Sequence, residues 1–266
     1  MTRFISLSRG SSGNCYYIGN EQVSLLIDVG LSSRMIKKRL SEFGISLESI
    51  SFVLVTHDHI DHIKYLGTFA QKFKTPVIAT KKLHDSLSVH PCTRGYMDDC
   101  RKYVEKGDCY EYSGVSVTPF DVPHDAKETL GYHIDFRGEK FTIITDAGRV
   151  TKEMVDYSRK ARHLILESNY DHQMLMDGNY PRVLIDRIKN GHGHLCNIQT
   201  AEALKEIYNS ELKNLFLCHL SENNNTPELA YASASSSLLQ IGVTDGIDIN
   251  IKCLPRRGTY CHQLEE

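Results

Sequence analysis

Residues 56–62 read Thr56-His57-Asp58-His59-Ile60-Asp61-His62, and they follow the apolar run Phe52-Val53-Leu54-Val55 without a break. A short apolar, β-branched run of that kind reads as a buried strand. The chain therefore carries a strand that ends in a tight loop of imidazoles and carboxylates. Three of its 13 histidines fall inside these seven residues, a density that a merely polar surface loop does not explain. Such a loop packs poorly but binds metal well, because neutral imidazole nitrogen and carboxylate oxygen both suit zinc and manganese. His57, His59, Asp61 and His62 are expected to be metal ligands. His57 and His59 can share one ion, while Asp61 and His62, on the far side of the same turn, point at a second. Asp58 is expected to stay exposed and without a role.

On either side of this loop, strand-like runs stand at 15–18, 23–28, 52–56, 115–119, 131–136, 141–145, 163–166 and 215–217. Helix patterns stand at 32–43, 63–73, 81–89, 181–189, 198–208 and 227–239. Strands come first, helix and strand then alternate, and strands return in the middle of the chain. That succession suits an α/β sandwich of two mixed β-sheets better than a doubly wound parallel sheet. Thr226-Pro227-Glu228 reads as a helix start, with a Thr N-cap, Pro at the first helical position and an acid in the first turn. No Gly/Ser/Pro-rich linker interrupts the sequence, so residues 1–266 are expected to form a single domain.

A formal net charge of −2 excludes a protein coated in basic surface. Local basic groups at Arg34, Lys37, Lys38 and Arg39, at Arg159, Lys160 and Arg162, at Arg182, Arg187 and Lys189, and at Arg256 and Arg257 permit a nucleic-acid path without demanding one. The N-terminus lacks the apolar centre of a signal peptide, and no apolar run approaches the roughly 20 residues that span a bilayer. A soluble, cytoplasmic protein with no membrane partner is expected. Its eight cysteines include no Cys-x-x-Cys pair and are expected to be reduced thiols.

One metal needs four or more ligands, so the loop requires partners from elsewhere. His124 lies in a turn just after the strand at 115–119, Asp146 ends the run Phe141-Thr142-Ile143-Ile144-Thr145, and His219 ends Leu215-Phe216-Leu217-Cys218. Each is a polar residue at the C-terminal end of an apolar strand, where sheet proteins usually place ligands. Asp146 could bridge two ions, since a carboxylate has two oxygens to share. His194 precedes Asn197, read as the N-cap of the helix at 198–208, and a helix N-terminus offers free N–H groups to an anion. His194 could contact a scissile phosphate, protonate a leaving group, or merely cap and pack. Ser12 and Asn14 lie in a Gly-containing loop that either lines the cleft or makes a plain turn between strands. His133, alternating with apolar neighbours in a strand, is expected to be structural.

The T-H-D-H-I-D-H loop with His124, Asp146 and His219 resembles the metallo-β-lactamase fold superfamily of dinuclear metallohydrolases. The resemblance implies a four-layer αββα sandwich of two mixed β-sheets and two divalent metal ions, zinc or manganese, with iron also compatible. It implies that His57, His59 and His124 hold the first ion, that Asp61, His62 and His219 hold the second, and that Asp146 bridges them. Asp28, in Leu26-Ile27-Asp28-Val29-Gly30, matches the family's first motif, an aspartate that orders the ligand loop rather than binding metal.

Five finer motifs resemble the YycJ/WalJ group: Ser11-Ser12-Gly13-Asn14-Cys15, Val122-Pro123-His124-Asp125-Ala126, Glu167-Ser168-Asn169-Tyr170-Asp171, Gly193-His194-Leu195-Cys196-Asn197 and His219-Leu220-Ser221-Glu222-Asn223-Asn224. Cys196 stands where that pattern has Ser. Members of the group are regarded as cytoplasmic, metal-dependent exonucleases acting on DNA. The implied function is a dinuclear metal-dependent phosphodiesterase, a 5′-to-3′ DNA exonuclease with nucleic acid as its partner. It would use a metal-activated hydroxide, with Asp61 accepting the water's proton and His194 serving as a further catalytic residue. The alternative is a small-molecule metallohydrolase such as a cyclic phosphodiesterase, thioesterase or lactonase, which the same ligand set serves.

Overall fold

A computed structural model describes residues 1–8, 10, 13–256 and 258–264. Ser11, Ser12 and Arg257 lie outside the described residues, and with them the reading of Ser12 as a cleft residue. The chain divides into two units that exchange short segments. The first comprises Met1–Asp108, Ala126–Glu128 and Pro255–Glu266, the second Cys109–Asp125 and Thr129–Leu254.

The first unit runs β1 (Arg3–Ser8), β2 (Cys15–Gly19), β3 (Ser24–Ile27), α1 (Ser33–Ser41), β4 (Phe52–Leu54), α2 (Ile60–Ile63), α3 (Leu66–Phe73), β5 (Val77–Ala79), α4 (Lys81–Val89) and β6 (Arg101–Tyr103). These six strands and the C-terminal strand Tyr260–Gln263 form a seven-stranded sheet. β1, β2 and β3 pair antiparallel, whereas β3, β4, β5 and β6 pair parallel. The parallel register sets Ile27 against Leu54, so the chain leaves both strands at the same edge. That register brings Asp28, one residue past β3, to the start of the histidine loop. Side-chain caps start the helices: Ser32 accepts from Met35 N at α1, and Thr80 accepts from Leu83 N at α4.

The second unit runs β7 (Tyr110–Tyr112), β8 (Val115–Asp121), β9 (Leu130–Phe136), β10 (Glu139–Ile144), α5 (Lys152–Ser158), β11 (His163–Glu167), α6 (His172–Asp177), α7 (Arg182–Lys189), α8 (Asn197–Ile207), β12 (Asn214–Cys218), α9 (Pro227–Leu239) and β13 (Asn250–Cys253). Its seven strands are hydrogen-bonded in sequence order from β7 to β13, antiparallel up to β10 and parallel from there on. Ile144, Leu166 and Leu217 share one register line across β10, β11 and β12. The residues just beyond that line, Asp146, Glu167 and His219, therefore gather at one sheet edge. Phe120, Leu164, Leu166, Leu215 and Leu217 are buried with Leu204, Ala230 and Leu238 in the main core of this unit. Burying a side chain of that size contributes about 1.5–3 kcal/mol. A separate small cluster, Tyr170, Leu175, Ile185 and Cys196, gives the α6–α7 segment its own packing.

Two mixed sheets are present, as the strand and helix order predicts. The helix expected over 63–73 is broken, however. Tyr65 N–H leaves the helical ladder to donate to Val29 O (3.0 Å), which separates α2 from α3. The three-residue strands β5, β6 and β7 are too short to show a period of two and are not among the strand-like runs of the sequence. Among the described residues no helix is long and apolar enough to cross a membrane.

Candidate metal centre

In the first unit the site begins at Asp28, which is fully buried and holds a left-handed backbone at φ 61°. That conformation is costly for a non-glycine residue, and Asp tolerates it better than most. Its two carboxylate oxygens organise the loop. Oδ1 accepts Thr56 N–H at 2.8 Å, and Oδ2 accepts the Thr56 hydroxyl at 2.8 Å and His62 Nδ1 at 2.6 Å. The Thr56 hydroxyl has spent its only hydrogen on Asp28, so at the 3.0 Å contact with His57 it must accept from Nδ1. Both imidazoles thus carry their proton on Nδ1 in the neutral form, and both present the Nε2 lone pair. The His57 ring lies 4.6 Å from that of His59 and 4.0 Å from that of His62. Asp61 sits in the first turn of α2, with His59 at its N-cap and His62 one residue on.

Gly30 closes this part of the structure. A Cβ there would stand 1.8 Å from Asp61 O and 2.6 Å from Asn14 N, so only glycine lets the Asn14 N–H reach Asp61 O at 2.8 Å.

The second unit assembles its groups from four separate elements. His124 follows β8, Asp146 follows β10, Glu167 ends β11, and His219 follows β12 with a left-handed φ of 54°. His194 arrives on the loop between α7 and α8. Asp146, Glu167, His194 and His219 bring ligand atoms within 4.8 Å of one another. The short contacts among them are hydrogen bonds. Glu167 Oε1 accepts Nδ1 of both His194 (2.8 Å) and His219 (2.7 Å), while Oε2 accepts Ala147 N–H (2.8 Å) and Leu195 N–H (3.1 Å). Four donors saturate this fully buried carboxylate, which therefore suits a histidine partner better than a metal ligand. His124 Nδ1 donates to Gly193 O at 2.7 Å. His124 and His219 thus repeat the arrangement of His57 and His62: Nδ1 anchored, Nε2 carrying the lone pair.

His194 differs from these histidines in charge. Its ring lies 5.0 Å from that of His124 and 5.1 Å from that of His219. Desolvation alone would lower its pKa, but the Glu167 carboxylate, helped by Asp146 and Asp125, outweighs burial and raises it to about 9. Reciprocally, burial by itself would raise the Glu167 carboxyl, but the charge and hydrogen bonds of His194 and His219 hold it below the usual carboxylate value. That balance favours the imidazolium form of His194, in which Nδ1 donates to Glu167 and Nε2 carries a second proton.

Two expectations are corrected. Asp58 is half-buried rather than exposed, because Ser86 Oγ on α4 donates to its Oδ2 and fastens the loop to that helix. The cap of α8 is Cys196 and not Asn197. The Asn197 Oδ1 is already taken by Ser168 Oγ (2.7 Å) and Asn225 Nδ2 (2.8 Å), so the capping contact comes from Gln199, which accepts Cys196 N–H at 3.0 Å. Glu167 is the functional residue missed by sequence reasoning. The signal was available: it is a second acid at the C-terminal end of an apolar strand, placed as Asp146 is. His133 pairs with Thr142 on the neighbouring strand (2.9 Å), in keeping with a structural role.

The family model described as "Beta-lactamase superfamily domain" matches residues 24–219. The exodeoxyribonuclease YycJ of Bacillus anthracis is 35% identical over 250 residues, covering 93% of this chain and 94% of its own. The exodeoxyribonuclease WalJ of Streptococcus pneumoniae strain R6 is 31% identical over 250 residues, covering 94% of this chain and 93% of its own. Among solved structures, the metallo-β-lactamase fold protein YhfI from Bacillus subtilis superposes with a TM-score of 0.70 at 14% identity, over 98% of this chain and 100% of that one. At that identity the likeness speaks for the fold, which is the expected α/β sandwich of two mixed sheets. With the family model matched over residues 24–219 and a relative at 35% identity matched over 93% of this chain, the chain belongs to the β-lactamase superfamily.

Proposed function

We propose that the chain is a dinuclear metal-dependent phosphodiesterase that degrades DNA as a 5′-to-3′ exonuclease. The observation that carries the reading is the shared orientation of its histidines. His57, His62, His124 and His219 each anchor Nδ1 to Thr56, Asp28, Gly193 O or Glu167, which sets the tautomer that ligates through Nε2. Metal-binding histidines characteristically have such partners, which fix the ring and raise its basicity. The all-nitrogen-and-oxygen donor set fits zinc, manganese or iron. On this reading His57, His59 and His124 hold one ion and Asp61, His62 and His219 the other, with Asp146 shared. Residues 1–266 then act as one catalytic domain. Exodeoxyribonucleases at 31–35% identity over nearly the whole chain support DNA as the substrate.

Two divalent ions at such a site supply a nucleophile from water at neutral pH and neutralise phosphate oxygens. The protein's own groups do the rest. Asp61 takes a proton from the attacking water. His194 keeps a proton at Nε2 through neutral pH and gives it to the departing oxygen, and its positive charge offsets the charge growing on the phosphate. Glu167 holds that imidazolium in place through Nδ1.

Linear DNA labelled at one or the other end, incubated with purified protein and Mn²⁺ or Zn²⁺, should lose mononucleotides from the 5′ end. Release from the 3′ end would correct the polarity. Turnover confined to a cyclic nucleotide, thioester or lactone would overturn the nuclease reading.

A further inference from the structure

Asn14, in the loop between β1 and β2, is fully buried and touches the ligand loop of its own unit through both backbone and side chain. Its backbone N–H donates to Asp61 O (2.8 Å), and its carbonyl accepts from Gly30 N–H (2.9 Å). The side chain has a defined direction, because Oδ1 accepts Gly10 N–H at 2.9 Å, which leaves Nδ2 facing the ligands. Nδ2 stands 2.8 Å from His62 Nε2, 3.1 Å from Asp61 Oδ2 and 3.4 Å from Gly10 O. An amide nitrogen carries two hydrogens. Three acceptors therefore compete for two donors, and the shortest contact is to the nitrogen that must bind metal if His62 is a ligand. The His62 proton is held on Nδ1 by Asp28, so at Nε2 the Asn14 amide is the donor.

We propose that Asn14 is a positioning residue for the Asp61–His62 half of the metal centre, with two tasks that alternate. In the metal-free chain its amide stands in for the ion at His62 Nε2, sparing a buried lone pair the cost of having no partner. When an ion takes that lone pair, a small rotation of the whole amide turns that hydrogen towards Gly10 O, while the other stays on Asp61 Oδ2. The Asp61 carboxylate then meets the ion in a fixed orientation. The exchange trades one hydrogen bond for another, so loading costs little. The inference rests on the metallohydrolase reading and assigns Asn14 a part in it.

Stepwise titration of the metal-free chain with Mn²⁺, followed by calorimetry and by metal analysis after dialysis, tests the idea. The wild-type chain should take up two ions. Asn14→Ala should weaken one step by about 10–100-fold, the usual cost of losing a group that orients a ligand, and leave the other within about two-fold. Equal weakening of both steps would mean that Asn14 only holds the fold together, and unchanged affinities would mean that it does not orient Asp61; either result overturns the proposal. A wild-type chain that binds no divalent ion overturns the metallohydrolase reading and this inference with it. Crystal structures of the wild-type chain decide the matter if the variant does not fold. With metal bound, Nδ2 should lie beyond about 3.5 Å from His62 Nε2 and within about 3.2 Å of Asp61 Oδ2. Retention of the His62 contact in the loaded protein would contradict the proposal.

Discussion

The two units arrange their candidate ligands in opposite ways. The first concentrates its ligands in one loop, His57 to His62, behind a single strand, and one carboxylate from the neighbouring strand, Asp28, locks the whole loop. The second draws His124, Asp146, His194 and His219 from four places in the chain, and another carboxylate, Glu167, ties two of the histidines to the backbone at Ala147 and Leu195. In both units a buried acid accepts from histidine Nδ1 groups. The first solution is compact in sequence. The second is compact only in space, and it adds a charged residue, His194, with no counterpart in the first.

That added residue gives the largest expected effect. His194→Ala removes the imidazolium but none of the proposed ligands, so it should lower turnover on DNA by about 10²–10⁴-fold. Bound metal, measured after dialysis, should match the wild type. If metal is lost together with activity, His194 is a ligand and the contrast between the units fails.

The two organising acids come next. Asp28→Asn turns the acceptor facing His62 Nδ1 into a donor or forces the proton onto Nε2, and metal affinity should fall about 10–100-fold. Glu167→Gln should cost more. Its amide cannot accept from two histidines at Oε1 and from two backbone N–H groups at Oε2 at once. It should therefore weaken metal binding and also impair turnover of whatever loaded enzyme remains. A Glu167→Gln variant with wild-type turnover would show that the second unit does not depend on its carboxylate as the first depends on Asp28.

The same contrast decides what the sequence reveals. The histidine loop is legible because its candidate ligands are adjacent and the strand before it is continuously apolar. His124, Asp146 and His219 are legible singly, through their position after apolar strands. Glu167 is not legible in this way, because the strand-like run at 163–166 stops one residue short of it and the acid stands only within the motif Glu167-Ser168-Asn169-Tyr170-Asp171. The role of Asp58 depends on Ser86, 28 residues downstream, which no local pattern shows. Asn14 reads equally well as a turn residue, since its partners Asp61 and His62 lie 47 and 48 residues away.

A glycine in each unit probes how tightly these loops are held. Gly30→Ala would set a Cβ 1.8 Å from Asp61 O, and Gly148→Ala would set one 2.4 Å from the backbone of His192, two residues before His194. In both cases the obstacle is backbone, so the chain must shift; overpacking of this kind costs about 1–3 kcal/mol. For a chain of this size each kcal/mol lowers the melting temperature by about 2–4 °C. Gly30→Ala should also weaken metal binding, because it displaces Asp61. Gly148→Ala should lower turnover with less effect on metal, because it displaces the His194 loop. The reverse pattern would contradict the assignment of ligands to the first loop and of proton donor to the second.

The smallest effect is on stability against pH, and it too separates the units. His194 has its folded-state pKa raised to about 9, chiefly by Glu167 working against burial, while in the unfolded chain it titrates near the ordinary value of about 6.5. The folded protein therefore holds that proton more tightly, and the stabilisation is complete below about pH 6.5 and lost as pH rises through about 9. His133 shows the opposite sign. Burial, reinforced by Lys160, lowers its pKa to about 4, so between about pH 6.5 and 4 the unfolded chain binds the proton that the folded chain refuses, and stability falls as pH drops. His84 in the first unit is also lowered, again by burial, and adds to the same acid loss. Acid should thus weaken both units, whereas alkali up to about pH 9–10 should weaken the second unit through His194. Limited proteolysis of the metal-free chain, with the cleavage sites mapped at both extremes, would show the difference. Cuts that appear first in the first unit at high pH would mean that the Glu167–His194 pair does not hold the second unit together. Replacing His194 by Ala should flatten the alkaline limb; the acid limb should keep the contributions of His84 and His133 and change through Glu167, whose carboxyl loses the neighbouring charge that holds it below the usual value.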